Sequence, residues 1–150
     1  MTETSITYTT ITLDALKVRV EEINALIERA FDRPSDVVDK LEGRKHSHIL
    51  IAESNGAIVG FKIGYALKKD VFYSWLGCVD PDFRHMGIAS QLMRAQHTWC
   101  AENGFEWVET QTMNHFKDML VLNLRHGFDI AGSYDDRGKL KIILRKPLRA

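Results

Sequence analysis

The stretch Cys78 to Ser90, C-V-D-P-D-F-R-H-M-G-I-A-S, constrains this chain more than any other, because a strand ends there, a loop turns and a long helix begins. Asp80-Pro81 stops the strand, since proline carries no amide hydrogen and disfavours a helical residue before it. From Gly87 onward apolar residues return at helical spacing, at Ile88, Leu92, Ala95 and Trp99. The first turn of such a helix leaves backbone N–H groups without internal partners, and its aligned peptide dipoles add roughly half a positive charge. Gly87 and Ala89 have little or no side chain, so a phosphate or diphosphate can approach the main chain closely. Arg84 supplies a mobile cation at the rim.

The spelling of the loop excludes two common phosphate binders. It contains no G-K-S or G-K-T, as a Walker loop would, and no G-x-G-x-x-G, as a dinucleotide turn would. What remains is R-x-x-G-x-A, from Arg84 to Ala89, set in the longer context V-x-P-x-x-R-x-x-G-I-A-S-x-L-M from Val79 to Met93. This resembles the acyl-CoA pyrophosphate loop, (Q/R)-x-x-G-x-(G/A), of the GNAT superfamily of N-acyltransferases. The resemblance implies acetyl-CoA as cosubstrate. Its diphosphate would be held by Arg84, His85 and Met86 before the helix and by Gly87, Ile88, Ala89 and Ser90 at its start. Cys78 and Val79 would line the slot for the pantetheine.

The rest of the chain falls into elements of the matching order. Ser5 to Ile11 alternates polar and apolar residues as a half-buried strand does. Asp14 is placed to cap a helix whose buried stripe is Leu16, Val20, Ile23, Ile27 and Ala30, with Lys17, Arg19, Glu21, Glu22 and Glu28 on a solvated face. Arg33-Pro34-Ser35 breaks it, and a shorter helix with Val37, Val38 and Leu41 runs to Gly43. Strand periodicity begins at His46 and forms a hairpin about S-N-G-A. V-F-Y-S-W-L-G-C-V then delivers the loop, with Gly77 marking a bulge.

Asn103-Gly104 stops the long helix, and E-W-V-E-T-Q-T-M follows as a strand parallel to its predecessor. A last helix carries Phe116, Met119, Leu120 and Leu124 and ends at His126-Gly127. Two closing strands flank a turn at Arg137-Gly138. The expected fold is α/β (α+β), a mixed twisted sheet of about seven strands flanked by about four helices, in one domain spanning residues 1–150. That order is similar to a complete GNAT domain.

Twenty basic and twenty acidic residues cancel, so no net field draws nucleic acid or an anionic membrane to this chain. The first residues lack a basic region followed by a long apolar run, and no stretch approaches the ~20 apolar residues of a membrane span. A soluble, cytoplasmic protein is expected. Cys78 and Cys100, with twenty-one residues between them, match no metal-ligand spacing and read as buried thiols. Cys78 borders the expected thioester site, which leaves an acyl-enzyme as a secondary route. His46-x-His48 has no third ligand in reach, so no metal is expected.

The resemblance implies direct attack of an amine on the thioester. A lysine-like amine has a pKa near ~10.4, so presenting its free base at neutral pH costs roughly 4 to 5 kcal/mol and calls for a base or water relay. Many relatives carry a glutamate on the strand that ends at Val79, but Phe72 to Val79 contains no acid. Tyr73, Glu109, or His46 and His48 through water remain open for the role. The family's general-acid tyrosine, four residues before the closing Gly-Phe, falls here on Asn123, whose amide can hydrogen-bond the leaving sulfur but not usefully protonate it. Asn114 is expected to cap the last helix and reach the pantetheine.

Two functions follow from different classes. One is an N-acetyltransferase acting on a primary amine of a small molecule or peptide. The alternative is a non-catalytic acyl-CoA sensor or interaction module on the same fold, suggested by the missing tyrosine and strand carboxylate. Dimers are common among relatives, so a homodimer is an expected assembly.

Overall fold

The computed structural model describes residues 5–31 and 36–148, so the expected break at Arg33-Pro34-Ser35 lies outside the described residues. In chain order the elements are β1 (Thr7–Ile11), α1 (Leu13–Val18), α2 (Val20–Phe31), α3 (Val37–Leu41), β2 (His48–Ser54), β3 (Ala57–Ala66) and β4 (Val71–Val79). A short 3-10 turn (Pro81–Phe83) precedes α4 (Ile88–Glu102), followed by β5 (Trp107–Thr112), α5 (Lys117–Arg125), β6 (Asp129–Asp136) and β7 (Lys139–Pro147). The seven strands form one sheet in the order β1-β2-β3-β4-β5-β7-β6, with β4 and β5 parallel and the other neighbours antiparallel.

The described residues hold five α-helices rather than about four, because the expected first helix breaks at Arg19. Arg19 leaves helical geometry at φ −110° and ψ 20°. Its guanidinium donates to Glu22 at 2.8 Å, to Glu53 of β2 at 2.7 Å and to the carbonyl of Gly56 at 2.8 Å. Arg19 and Glu22, expected on a solvated face, therefore tie the helix pair to the β2–β3 hairpin. The cap also differs from expectation. Thr12 Oγ1 accepts from the Ala15 amide at 3.1 Å, which starts the helix before Asp14 can cap it.

Helices α1 to α3 cover one face of the sheet, where Leu16, Ile23, Ile27 and Leu41 pack against Ile49, Ile51, Phe61 and Ile63. Helices α4 and α5 cover the other, over Leu50, Val59, Phe72, Val108 and Leu144. The bulge expected at Gly77 lies two residues earlier. Gly77 pairs in register with Lys62, whereas Trp75 is the extra residue between Ser74, opposite Gly64, and Leu76, opposite Ile63. Gly64 has no room for a β-carbon, and its absence lets the Phe72 ring close over the strand pair.

Helix α4 buries more than its apolar stripe, since Gln96 and His97 are also inside. Gln96 and Thr10 occupy the two ring nitrogens of His48, at 3.3 and 3.1 Å, and the imidazole stacks on Trp99. Burial pushes His48 down to about 4 and, with neighbouring cations, His97 down to about 3. Both rings are neutral in the fold, yet take protons once unfolded below about pH 6.5, so the unfolded state binds more protons as the pH falls. Stability should be full above that value and decline toward pH ~4 by up to about 1.4 kcal/mol per pH unit per histidine. Urea unfolding at about pH 7 and about pH 5 checks this, and equal midpoints would refute it.

Candidate active site

The site begins where β4 and β5 part. They pair only at Val71 with Trp107, Phe72 with Val108 and Tyr73 with Glu109. Beyond Tyr73 the strands diverge, with Thr110 Oγ1 donating to the Ser74 carbonyl at 2.8 Å at the crotch of the fork. The edge of β4 that follows has no strand beside it. Polar main-chain groups on such an edge seek partners, and an extended ligand with amides can supply them. The bulge at Trp75 sits at this point and re-aims the strand as it leaves its neighbour.

The far end of that edge runs into the anion loop. Left-handed backbone at His85 (φ 65°) and Gly87 (φ 77°) turns the chain sharply into α4. Ile88 is buried and packs with Leu92 over Gly60, which pins the first turn to the sheet. That first turn has no side-chain cap, and a β-carbon built on Gly87 meets no atom within 4 Å, so the approach over the glycine is open. Arg29 of α2 braces the loop from behind, donating to Asp80 at 3.1 Å, while Asp80 accepts from the Asp82 amide at 2.9 Å.

The field on this side is positive. Arg84 is exposed at the rim, and burial, reinforced by Arg94, Lys146 and Lys62, opposes protonation of His126, whose ring lies 3.1 Å from Ser90 Oγ. Lys62 is buried beside Gly77, and desolvation pushes its ammonium down to about 8. Sequence reasoning missed it. The signal was a single charge inside the otherwise uncharged run I-V-G-F-K-I-G-Y-A. An uncapped helix start, an open glycine, converging cations and a free strand edge fit a diphosphate joined to an amide-bearing arm. Gly87→Ala would place a methyl group in the open space and force a left-handed alanine, so acetyl-CoA affinity should fall at least about tenfold by calorimetry. A folded variant with unchanged affinity would contradict this placement.

On the opposite face of the fork lies a cavity of ≈ 410 Å³. Tyr73 and Trp75 of β4 and Glu109 and Gln111 of β5 line its floor, so it spans the point of divergence. Tyr73 and Glu109, separate candidates in the sequence, stand side by side at the last paired position. Glu109 is buried and accepts from Arg145 Nε at 2.9 Å. Burial pushes the Tyr73 phenol up to about 12, so at neutral pH it keeps its proton and does not serve as a base.

Other candidates fall elsewhere. His48 is spent on core contacts on the α4 face, and His46 is exposed ahead of β2. Cys78 turns its side chain into the core on the α1–α3 face, where burial pushes the thiol up to about 12 and leaves it a poor nucleophile. Val79 packs on the α4 face. Asn123 is buried on α5. Asn114 is exposed and does not cap α5, because the helix starts at Lys117 with Phe116 in the cap position.

Comparison with known proteins bears on the family and the fold. The model of the acetyltransferase (GNAT) family matches residues 17–128. No curated protein matches the chain in sequence. Among solved structures, Ard1 from Thermoplasma volcanium superposes with a TM-score of 0.82 at 17% identity, covering 97% of this chain and 99% of its own. The ribosomal-protein-S18-alanine N-acetyltransferase from Escherichia coli gives 0.82 at 16% identity, covering 97% and 96%. A GNAT family acetyltransferase from Elizabethkingia anophelis, solved with acetyl-CoA bound, gives 0.74 at 17% identity, covering 95% and 97%.

The chain therefore belongs to the GNAT acetyltransferase family. It is an acetyl-CoA-dependent acetyltransferase, with acetyl-CoA as cosubstrate. Among the described residues no helix is long and apolar enough to cross a membrane.

Proposed function

We propose that this enzyme transfers the acetyl group of acetyl-CoA directly to a primary amine of a small molecule or peptide. The observation that carries the reading is the cavity on the α1–α3 face, which opens on the same fork that the anion loop approaches from the α4 face. Donor and acceptor would enter from opposite sides and meet between the strands, so no covalent relay through the protein is needed. The height of the Cys78 pKa supports the same route.

In the step itself the amine nitrogen bonds to the thioester carbonyl carbon, the C–S bond breaks, and CoA leaves as its thiolate. The amine proton passes to Glu109, directly or through water, because that carboxylate stands at the crotch of the fork. Main-chain N–H groups on the free edge of β4 would stabilise the oxyanion, an effect commonly worth about 3 kcal/mol. Asn123 would hydrogen-bond the departing sulfur, which takes its proton from solvent. The homodimer and the cytoplasmic setting stay part of this proposal.

The test is release of free CoA thiol when purified protein receives acetyl-CoA and a broad amine panel. Turnover of at least one primary amine is the expected result. Acetyl-CoA binding without turnover of any amine would overturn the reading and favour a sensor.

A further inference from the structure

The cavity over the fork carries an uneven charge. Lys40, in the last turn of α3, and Arg44, just beyond it, both line the cavity. Among the described residues neither forms an ion pair with a carboxylate. The one acidic side chain in the wall, Glu109, is already matched by Arg145. Arg44 is also held in place, with its guanidinium carbon 4.5 Å from the centre of the Tyr65 ring, and Tyr65 packs in turn on Tyr73 and Trp75. A stacked guanidinium keeps its donors free and forfeits little freedom when it binds.

Two uncompensated cations are a poor welcome for a simple ammonium ion. They repel it, although they also favour the neutral amine that must attack. The arrangement becomes complementary when the acceptor brings a negative group of its own. The cations stand on the α3 side and the Glu109 carboxylate at the fork, so a molecule with an anion at one end and an amine at the other is drawn in with its nitrogen toward the reacting centre. A volume of ≈ 410 Å³ lies in the range of about 300 to 1,000 Å³ typical of small-ligand sites, and aromatic rings supply apolar wall.

Resting on the assignment of this cavity as the acceptor site, we infer that the acceptor is a small amine that also carries a carboxylate or other anionic oxygen group, bound between Lys40 and Arg44 with its apolar body against Tyr65 and Trp75. The negative group takes no part in bond making. It fixes which end of the molecule faces the fork.

The experiment compares matched amines by free thiol release: phenylalanine with phenylalaninamide, leucine with leucinamide, and 4-aminobutyrate with butylamine. The carboxylate member of at least one pair should show kcat/KM higher by about tenfold or more, chiefly through a lower KM. In the double variant Lys40→Gln, Arg44→Gln that preference should shrink to less than about threefold; both side chains are exposed, so the fold is not at stake. Equal turnover of the neutral partners, or a preference that survives in the double variant, would overturn the inference while leaving the acetyltransferase reading intact. Failure of every amine despite bound acetyl-CoA would bring down the acceptor-site assignment itself, and the inference with it.

Discussion

Replacing Glu109 with glutamine is expected to lower kcat about a hundredfold at neutral pH with little change in KM, the usual scale for loss of a positioned base. The substitution keeps the shape of the side chain and an oxygen for the 2.9 Å bond from Arg145, while it removes both the proton-accepting ability and the charge of that ion pair. Without the base only the spontaneously neutral amine reacts, and the variant's rate should climb about tenfold per pH unit until the amine itself titrates. Tyr73→Phe provides the contrast. Its phenol is neutral across that range, so its loss should cost less and leave the shape of the pH profile unchanged. A Glu109→Gln enzyme within about threefold of the parent would exclude the carboxylate as the base and point to water alone.

Gly64→Ala should be the most damaging single methyl group in the sheet. A β-carbon at that position would collide with both the Phe72 ring and the Tyr73 carbonyl oxygen, closer than real β-carbons approach anything. Phe72 is fully buried among Met93, Cys100, Phe105 and Val108 and has nowhere to swing, and the carbonyl belongs to the backbone of β4. Overpacking of this kind costs about 3 kcal/mol, which in a domain of this size lowers Tm by roughly ten degrees. Gly132→Ala is the matched control. It lies in β6 with no atom within 4 Å of a built β-carbon, and its substitution should shift stability by less than about 0.5 kcal/mol. Equal melting temperatures for the two variants would mean that β3 and β4 can separate more freely than their packing implies.

Much of the architecture was legible because local chemistry and tertiary packing agree. Asp80-Pro81, Asn103-Gly104 and Arg137-Gly138 terminate elements where their backbone preferences say they should. Apolar periodicity located both hairpins and the long helix. The misreadings among the helices have two causes. Arg19 breaks a helix to reach Glu53, a partner distant in sequence, whereas Thr12 wins the cap from Asp14 through one local bond.

The site was legible in a similarly uneven way. The donor loop is contiguous, so a motif can describe it. The proposed acceptor cavity is assembled from α3 and from β3 to β6, and no spacing rule joins Arg44 to Glu109. The bulge was displaced from Gly77 to Trp75 because register depends on both strands, and β4 was read without its partner. Lys62 went unremarked because an isolated lysine in an apolar strand reads as an edge residue until its neighbours on both sides are known.

The sheet holds together across its middle by three parallel rungs, while long antiparallel ladders run on either side. The seam that is easiest to part is thus the one at which the proposed donor and acceptor sites meet. Evolution could strengthen almost any other border of this sheet without touching catalysis. An engineer who lengthened these rungs to gain thermal robustness would sew the passage shut, and would recover a tougher protein with no place for its substrates to meet.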